Sequence, residues 1–174
     1  SWAEITMEKL TALIVEHIPK VRKKLKDSFS DLDGYEVVDK DWVGVEDAIA
    51  FVKMSLTDFV IIEYDLPGID GVQFGREIRS VLPDVQIIVV AQEADKRIVR
   101  KAMRAGACDF LEHDYGPEDF SLALETVLGL IAQNPDAESP IKSSVPAFVV
   151  DPEEKRGQIV SVFSPRGGVG KSGP

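Results

Sequence analysis

The chain has 174 residues, 44% of them hydrophobic, which suffices for one buried core of ordinary domain size but not for two complete ones. Its formal net charge of −10 argues against a broad electrostatic hold on nucleic acid or on an anionic membrane, and no apolar run approaches the roughly 20 residues that span a bilayer. A single cysteine, Cys108, and a start without a charged lead-in and apolar stretch read as a cytoplasmic chain with no disulfide and no signal peptide.

Short apolar runs alternate with helical patterns. Leu10 to Val15 is the first run, ending in Glu16 and His17. Pro19 suits a first helical turn, and Val21, Leu25, Phe29 and Leu32 then recur at spacings of three and four as one apolar stripe. Lys20, Arg22, Lys23, Lys24 and Lys26 fill the rest of that segment and read as a solvated helix face, not a nucleic-acid patch. Gly34 closes the helix, and Tyr35 to Val38 form a second strand. Val45, Ala48, Ile49 and Val52 trace a second helix before a third strand, Phe59 to Ile62. The turn-rich Leu-Pro-Gly-Ile-Asp-Gly at 66–71 follows, then a helix with Val72, Ile78 and Leu82 that Pro83 stops. Ile87 to Val90 is a fourth strand, and Ile98, Ala102 and Met103 mark a helix closed by Gly106. Phe110 and Leu111 begin a fifth strand, and Phe120, Leu124, Val127, Leu128 and Ile131 mark a last helix from Pro117.

Five strand–helix units with near-continuously apolar strands predict an α/β fold, a doubly wound five-stranded parallel sheet of order 2-1-3-4-5. The boundaries expected are an extension at 1–9, this domain at 10–133, and a Pro-, Ser- and acid-rich linker at 134–156 with room for a short strand at Ala147 to Val150. A last segment, 157–174, holds one more buried strand, Gln158 to Ser164, and a glycine-rich loop.

Residues 10–133 resemble the receiver domains of two-component response regulators (the CheY-like, flavodoxin-like fold). The 66–71 motif and Gly106-Ala107-Cys108-Asp109-Phe110-Leu111 carry the likeness. That resemblance implies a phosphoacceptor position at Glu63, an acid pair at Glu16 and His17, a hydroxyl position at Ala91, an aromatic switch at Phe110 and a lysine position at His113. Four of these depart from the family in ways that weaken phosphoryl transfer. Glu63 carries its carboxylate one methylene further out, where a 1 Å misplacement costs on the order of a hundredfold in rate. Ala91 has no hydroxyl for a phosphoryl oxygen, a neutral His113 has no fixed charge, and His17 is a poor ligand for Mg²⁺. With Ala91 unable to pull and Phe110 lacking a hydroxyl, the two-state switch is expected to be disabled. No catalytic residue and no metal are therefore expected. Glu63 is read as a leftover acid, the alternatives being a permanent mimic of the phosphorylated form or a Zn²⁺ or Mn²⁺ trio of Glu16, Glu63 and His17.

The closing motif, Ser164 to Ser172, follows an apolar strand. Glycines at such a loop let backbone amides close round a phosphate while a lysine supplies charge. It resembles the deviant phosphate loop of ParA/MinD ATPases, with Gly167, Gly168, Gly170, Lys171 and Ser172 in the motif and Arg166 where that family has lysine. ATP and Mg²⁺ are expected only in a longer protein, and no enzymatic activity or cofactor in this fragment. A receiver-like domain followed by such an ATPase resembles the CpaE/TadZ proteins of pilus assembly. That likeness implies self-association through the fourth helix, fifth strand and fifth helix, with Ile98, Met103 and Leu122 as contacts if exposed. It also implies secretion or pilus machinery and polar proteins as partners, a place at the cell pole, and neither nucleic-acid binding nor membrane insertion. The competing expectation is a working response regulator phosphorylated at Asp65 or Asp70, whose attached ATPase is its output.

Overall fold

The computed structural model describes residues 9–133. The linker expected at 134–156, the strand at Gln158 to Ser164 and the loop residues Arg166, Gly167, Gly168, Gly170, Lys171 and Ser172 all lie outside those residues.

The five sheet strands are β1 (Leu10–Val15), β2 (Tyr35–Asp39), β3 (Phe59–Glu63), β4 (Gln86–Ala91) and β5 (Asp109–Glu112). They are parallel throughout in the order β2-β1-β3-β4-β5, as the alternation of elements predicts. Helices α1 (Pro19–Ser28), α2 (Gly44–Met54), α3 (Gly71–Val81), α4 (Lys96–Arg104) and α5 (Pro117–Ala132) make the crossovers. No helix among the described residues is long and apolar enough to cross a membrane.

Two cores sandwich the sheet, and strand parity assigns each side chain to one of them. Ala12, Ile14, Phe59, Ile61, Ile88, Val90 and Leu111 pack against Leu25 of α1 and Phe120, Ala123 and Val127 of α5. Leu13, Val15, Val60, Ile62, Ile87 and Val89 pack against Val52 of α2, Ile78 of α3 and Ala102 of α4. Both faces of β3 are thus dry, which is why it reads as an unbroken apolar run. Each fully buried Ile or Phe contributes on the order of 1.5–3 kcal/mol to this arrangement.

Two local expectations need correction. Helix α1 ends at Ser28 with Phe29 as its cap, well before Gly34, so Leu32 leaves the stripe and is 40% exposed. The segment after β3 is more than a turn: Asp65–Leu66 and Ile69–Asp70 pair as a miniature antiparallel hairpin around Gly68, whose φ of 85° suits glycine. Asp70 then caps α3 by accepting from the Gln73 amide at 2.9 Å. The basic face of α1 is answered by acids: Arg22 contacts Asp39 and Asp41, Lys23 meets Asp27 at 2.7 Å, and Lys26 meets Asp39 at 3.4 Å.

Candidate functional site

The carboxyl ends of β1, β3 and β5 converge on one cluster. Glu16 leaves β1 two residues after Ile14, Glu63 ends β3 two residues after Ile61, and His113 follows Leu111 at the same interval. All three continue the parity of the α1/α5 side, so their side chains meet above that core. Their ligand atoms lie within 4.8 Å of one another.

Glu63 is the deepest member, 1% exposed. Its Oε1 stands 2.6 Å from His113 Nε2, and its Oε2 accepts from the Asp65 amide at 3.0 Å. Glu16 is 3% exposed; its Oε2 accepts from the Ile18 amide at 3.1 Å, while its Oε1 is buried with no hydrogen-bond partner among the described residues. Burial pushes the Glu16 carboxyl up to about 9, aided by the neighbouring Glu63 carboxylate, which disfavours the ionised form. The pocket therefore prefers one proton between two carboxyls to two adjacent charges.

The expected trio of Glu16, Glu63 and His17 does not form. His17, with the opposite parity, turns outward, is exposed, and places Nε2 2.7 Å from the Asp65 carbonyl oxygen. His113 takes its place in the cluster. Ala91, buried at the end of β4, contributes no polar side-chain atom, and its carbonyl accepts from the His113 amide at 2.8 Å. Phe110 is half-buried and packs into the α2–α4 side of the core.

The donor set does not fit the Mg²⁺ implied by the resemblance. Mg²⁺ demands near-octahedral oxygen coordination, whereas the third donor of this cluster is an imidazole nitrogen.

Several residues with no sequence signal hold this arrangement. Lys24 Nζ donates to the His113 carbonyl at 2.7 Å, and Tyr115 Oη lies 2.6 Å from Ser28 Oγ, so α1 clamps the segment after β5. Glu112 Oε2 accepts from the Ala94 amide at 2.7 Å and fixes the loop after β4. Asp70, a candidate phosphate acceptor, is engaged by Lys101 Nζ at 2.8 Å; Asp65 is exposed. Of the candidate contact residues, Leu122 is 52% and Met103 46% exposed, and Ile98 is half-buried.

Comparison with known proteins speaks to the family and the fold. Residues 12–125 match the response regulator receiver domain family. The transcriptional activator protein ExaE of Pseudomonas putida is 30% identical over 134 residues, covering 76% of this chain and 60% of that protein. The response regulator UvrY of Escherichia coli K12 is 28% identical over 118 residues, covering 68% of this chain and 54% of its own length. The chain thus spans little more than half the length of these curated relatives. Among solved structures, the signal receiver domain of the putative response regulator NarL from Mycobacterium tuberculosis superposes with a TM-score of 0.60 at 24% identity, over 69% of this chain and 97% of that one. A LuxR-family response regulator from Aurantimonas gives 0.63 at 23% identity, over 83% and 100%. At these identities the structural likeness speaks for the fold.

Proposed function

We propose, on the premise that the chain belongs to the response regulator receiver domain family, that it works as a docking and self-association module that passes no phosphoryl group. The observation that carries this reading is the occupied pocket: Glu63, 1% exposed, is closed over by His113 at 2.6 Å, with no hydroxyl at Ala91 to receive a phosphoryl oxygen. A transferred group carrying roughly −1.5 to −2 charge would enter beside a second buried carboxyl, Glu16, with an imidazole in place of a lysine at position 113. The finer reading is a CpaE/TadZ-like role, in which this module positions an attached ParA/MinD-type ATPase at the cell pole through pilus or secretion partners. It rests on the sequence from Ser164 to Ser172. In that reading ATP and Mg²⁺ belong to the longer protein.

The face formed by α4, β5 and α5 supports self-association. Helix α4 exposes Lys96, Arg97, Arg100, Lys101 and Arg104, while Asp109, Glu112, Asp114 and Asp119 lie on β5 and around the start of α5. A two-fold axis would set each copy's basic helix against the other's acids, with Leu122 at the centre. The test of the primary reading is incubation with acetyl phosphate and Mg²⁺ followed by intact mass measurement. No added phosphoryl group is expected; stoichiometric addition at Glu63 sinks the proposal.

A second reading, a response regulator phosphorylated unconventionally, is favoured by the exposed Asp65 beside the pocket and by the regulators among its relatives. Phosphorylation lost on Asp65→Ala or Asp70→Ala would support it, and an unmodified parent protein ends it.

A further inference from the structure

We infer that Glu16, Glu63 and His113 form a binding site for a zinc-class divalent transition ion, at the place where the fold otherwise holds Mg²⁺. Three features carry the inference. The ligand atoms of two carboxylates and one imidazole already lie within 4.8 Å of one another, from three different strand ends. Both carboxylates are almost fully buried, and no donor among the described residues satisfies Glu16 Oε1. The third donor is a nitrogen, which a hard, oxygen-seeking Mg²⁺ accepts poorly and Zn²⁺ accepts readily.

The stereochemistry is close to what such an ion needs. Donors bonded to a tetrahedral Zn²⁺ at about 2.0–2.1 Å stand roughly 3.3 Å apart. The 2.6 Å contact between Glu63 Oε1 and His113 Nε2 opens by several tenths of an ångström to admit it, and the remaining separations within the cluster are at most 4.8 Å. The His113 side chain is 20% exposed, so water can reach the cluster to complete the shell. Second contacts are in place as well: the Asp65 amide holds the other oxygen of Glu63, and the Ile18 amide that of Glu16. Such an ion takes the place of the proton between the two carboxyls, which is released to solvent, and, bound by the folded chain alone, stabilises the fold instead of reporting a signal. The inference concerns the same pocket as the proposed function but is read by metal binding, so either can fail without the other.

The test uses the full chain, stripped with EDTA and dialysed, titrated with zinc chloride or magnesium chloride by calorimetry. Imidazole nitrogens are followed in parallel by ¹H–¹⁵N spectroscopy. The chain has only two histidines, so the signals separate His113 from His17. One equivalent of Zn²⁺ is expected to bind at least about a hundredfold more tightly than Mg²⁺ and to shift His113 alone. His113→Ala and Glu16→Gln should each weaken it by about tenfold or more, whereas His17→Ala should leave it unchanged. Binding that survives His113→Ala, shifts of His17 in place of His113, or equal affinity for Mg²⁺ each overturn the site. Because the spectra are read on the parent protein, a variant that fails to fold does not spare the inference.

Discussion

Gly71 and Glu63 meet backbone to backbone: a Cβ built on Gly71 would stand 2.2 Å from the Glu63 carbonyl oxygen and 2.8 Å from its carbon. The close approach lets α3 start directly beneath the end of β3, with the Gly71 amide donating to the Tyr64 carbonyl at 2.7 Å. The position of the buried acid and the start of α3 are therefore one geometric fact.

Gly71→Ala is expected to destabilise the domain by about 1–3 kcal/mol, since the clash is with backbone that cannot swing away. Gly129→Ala is the matched control. Gly129 sits exposed in α5, and a methyl group added there would meet nothing within 4 Å, so alanine should stabilise by roughly 0.5–1 kcal/mol. Urea midpoints of the two variants should move in opposite directions.

Glu16 sets a pH dependence. Its carboxyl rises in the folded protein from the ordinary 4.5 to about 9, chiefly through burial and then through Glu63. The folded state therefore holds a proton that the unfolded chain has released across that window. The associated stability is full below pH 4.5 and is lost as pH rises toward 9, with a ceiling of about 1.4 kcal/mol per pH unit for one proton. In EDTA, the urea midpoint of the parent should fall between about pH 5 and 8.5. Glu16→Gln should flatten that fall and be the more stable protein at the alkaline end; a parallel decline in both would remove Glu16 as the cause.

Phosphoryl chemistry should return only when several deficits are repaired together. Glu63→Asp alone leaves no hydroxyl at position 91 and no lysine at position 113, so it should stay unmodified by acetyl phosphate. Combining Glu63→Asp, His17→Asp, Ala91→Thr and His113→Lys should yield a phosphoryl adduct in Mg²⁺, seen as a single mass addition. An adduct forming as readily in the parent contradicts this ordering.

Self-association should depend on the charged face. Leu122→Asp places a like charge among the acids of β5 and α5, and with Met103→Asp it should convert a dimer to a monomer in light scattering. Lys53→Ala, on the exposed end of α2, should leave the mass unchanged.

Much of the fold is legible in residue order, because five apolar runs separated by helical periods permit few right-handed parallel topologies. The position of Glu63 is legible from its distance to the turn at Gly68. The makeup of the cluster is less so: His17 adjoins Glu16 in sequence, and adjacency suggests a shared site that the structure does not build. The signal that separates them is the period of two. Consecutive residues at a strand end project to opposite faces, so Glu16 joins Ile14 and Ile61 while His17 shares the face of Leu13 and Val15 and, beyond the end of β1, is exposed. The same rule brings in His113 through Leu111. The hairpin at 65–70 leaves no periodic trace because each of its strands is two residues long. Contacts such as Lys24 to His113, 89 residues apart, depend on the assembled sheet and have no local signature.

The clamp on His113 also governs time. The imidazole covers Glu63, its carbonyl is held by Lys24, its amide is bonded to Ala91, and Tyr115 is tied to Ser28 just beyond. A solute that enters by displacing the imidazole does so only when this short segment opens. Arrival by that route is paced by local breathing of the loop, and the exchange rate of the His113 amide with deuterium is expected to report the same event.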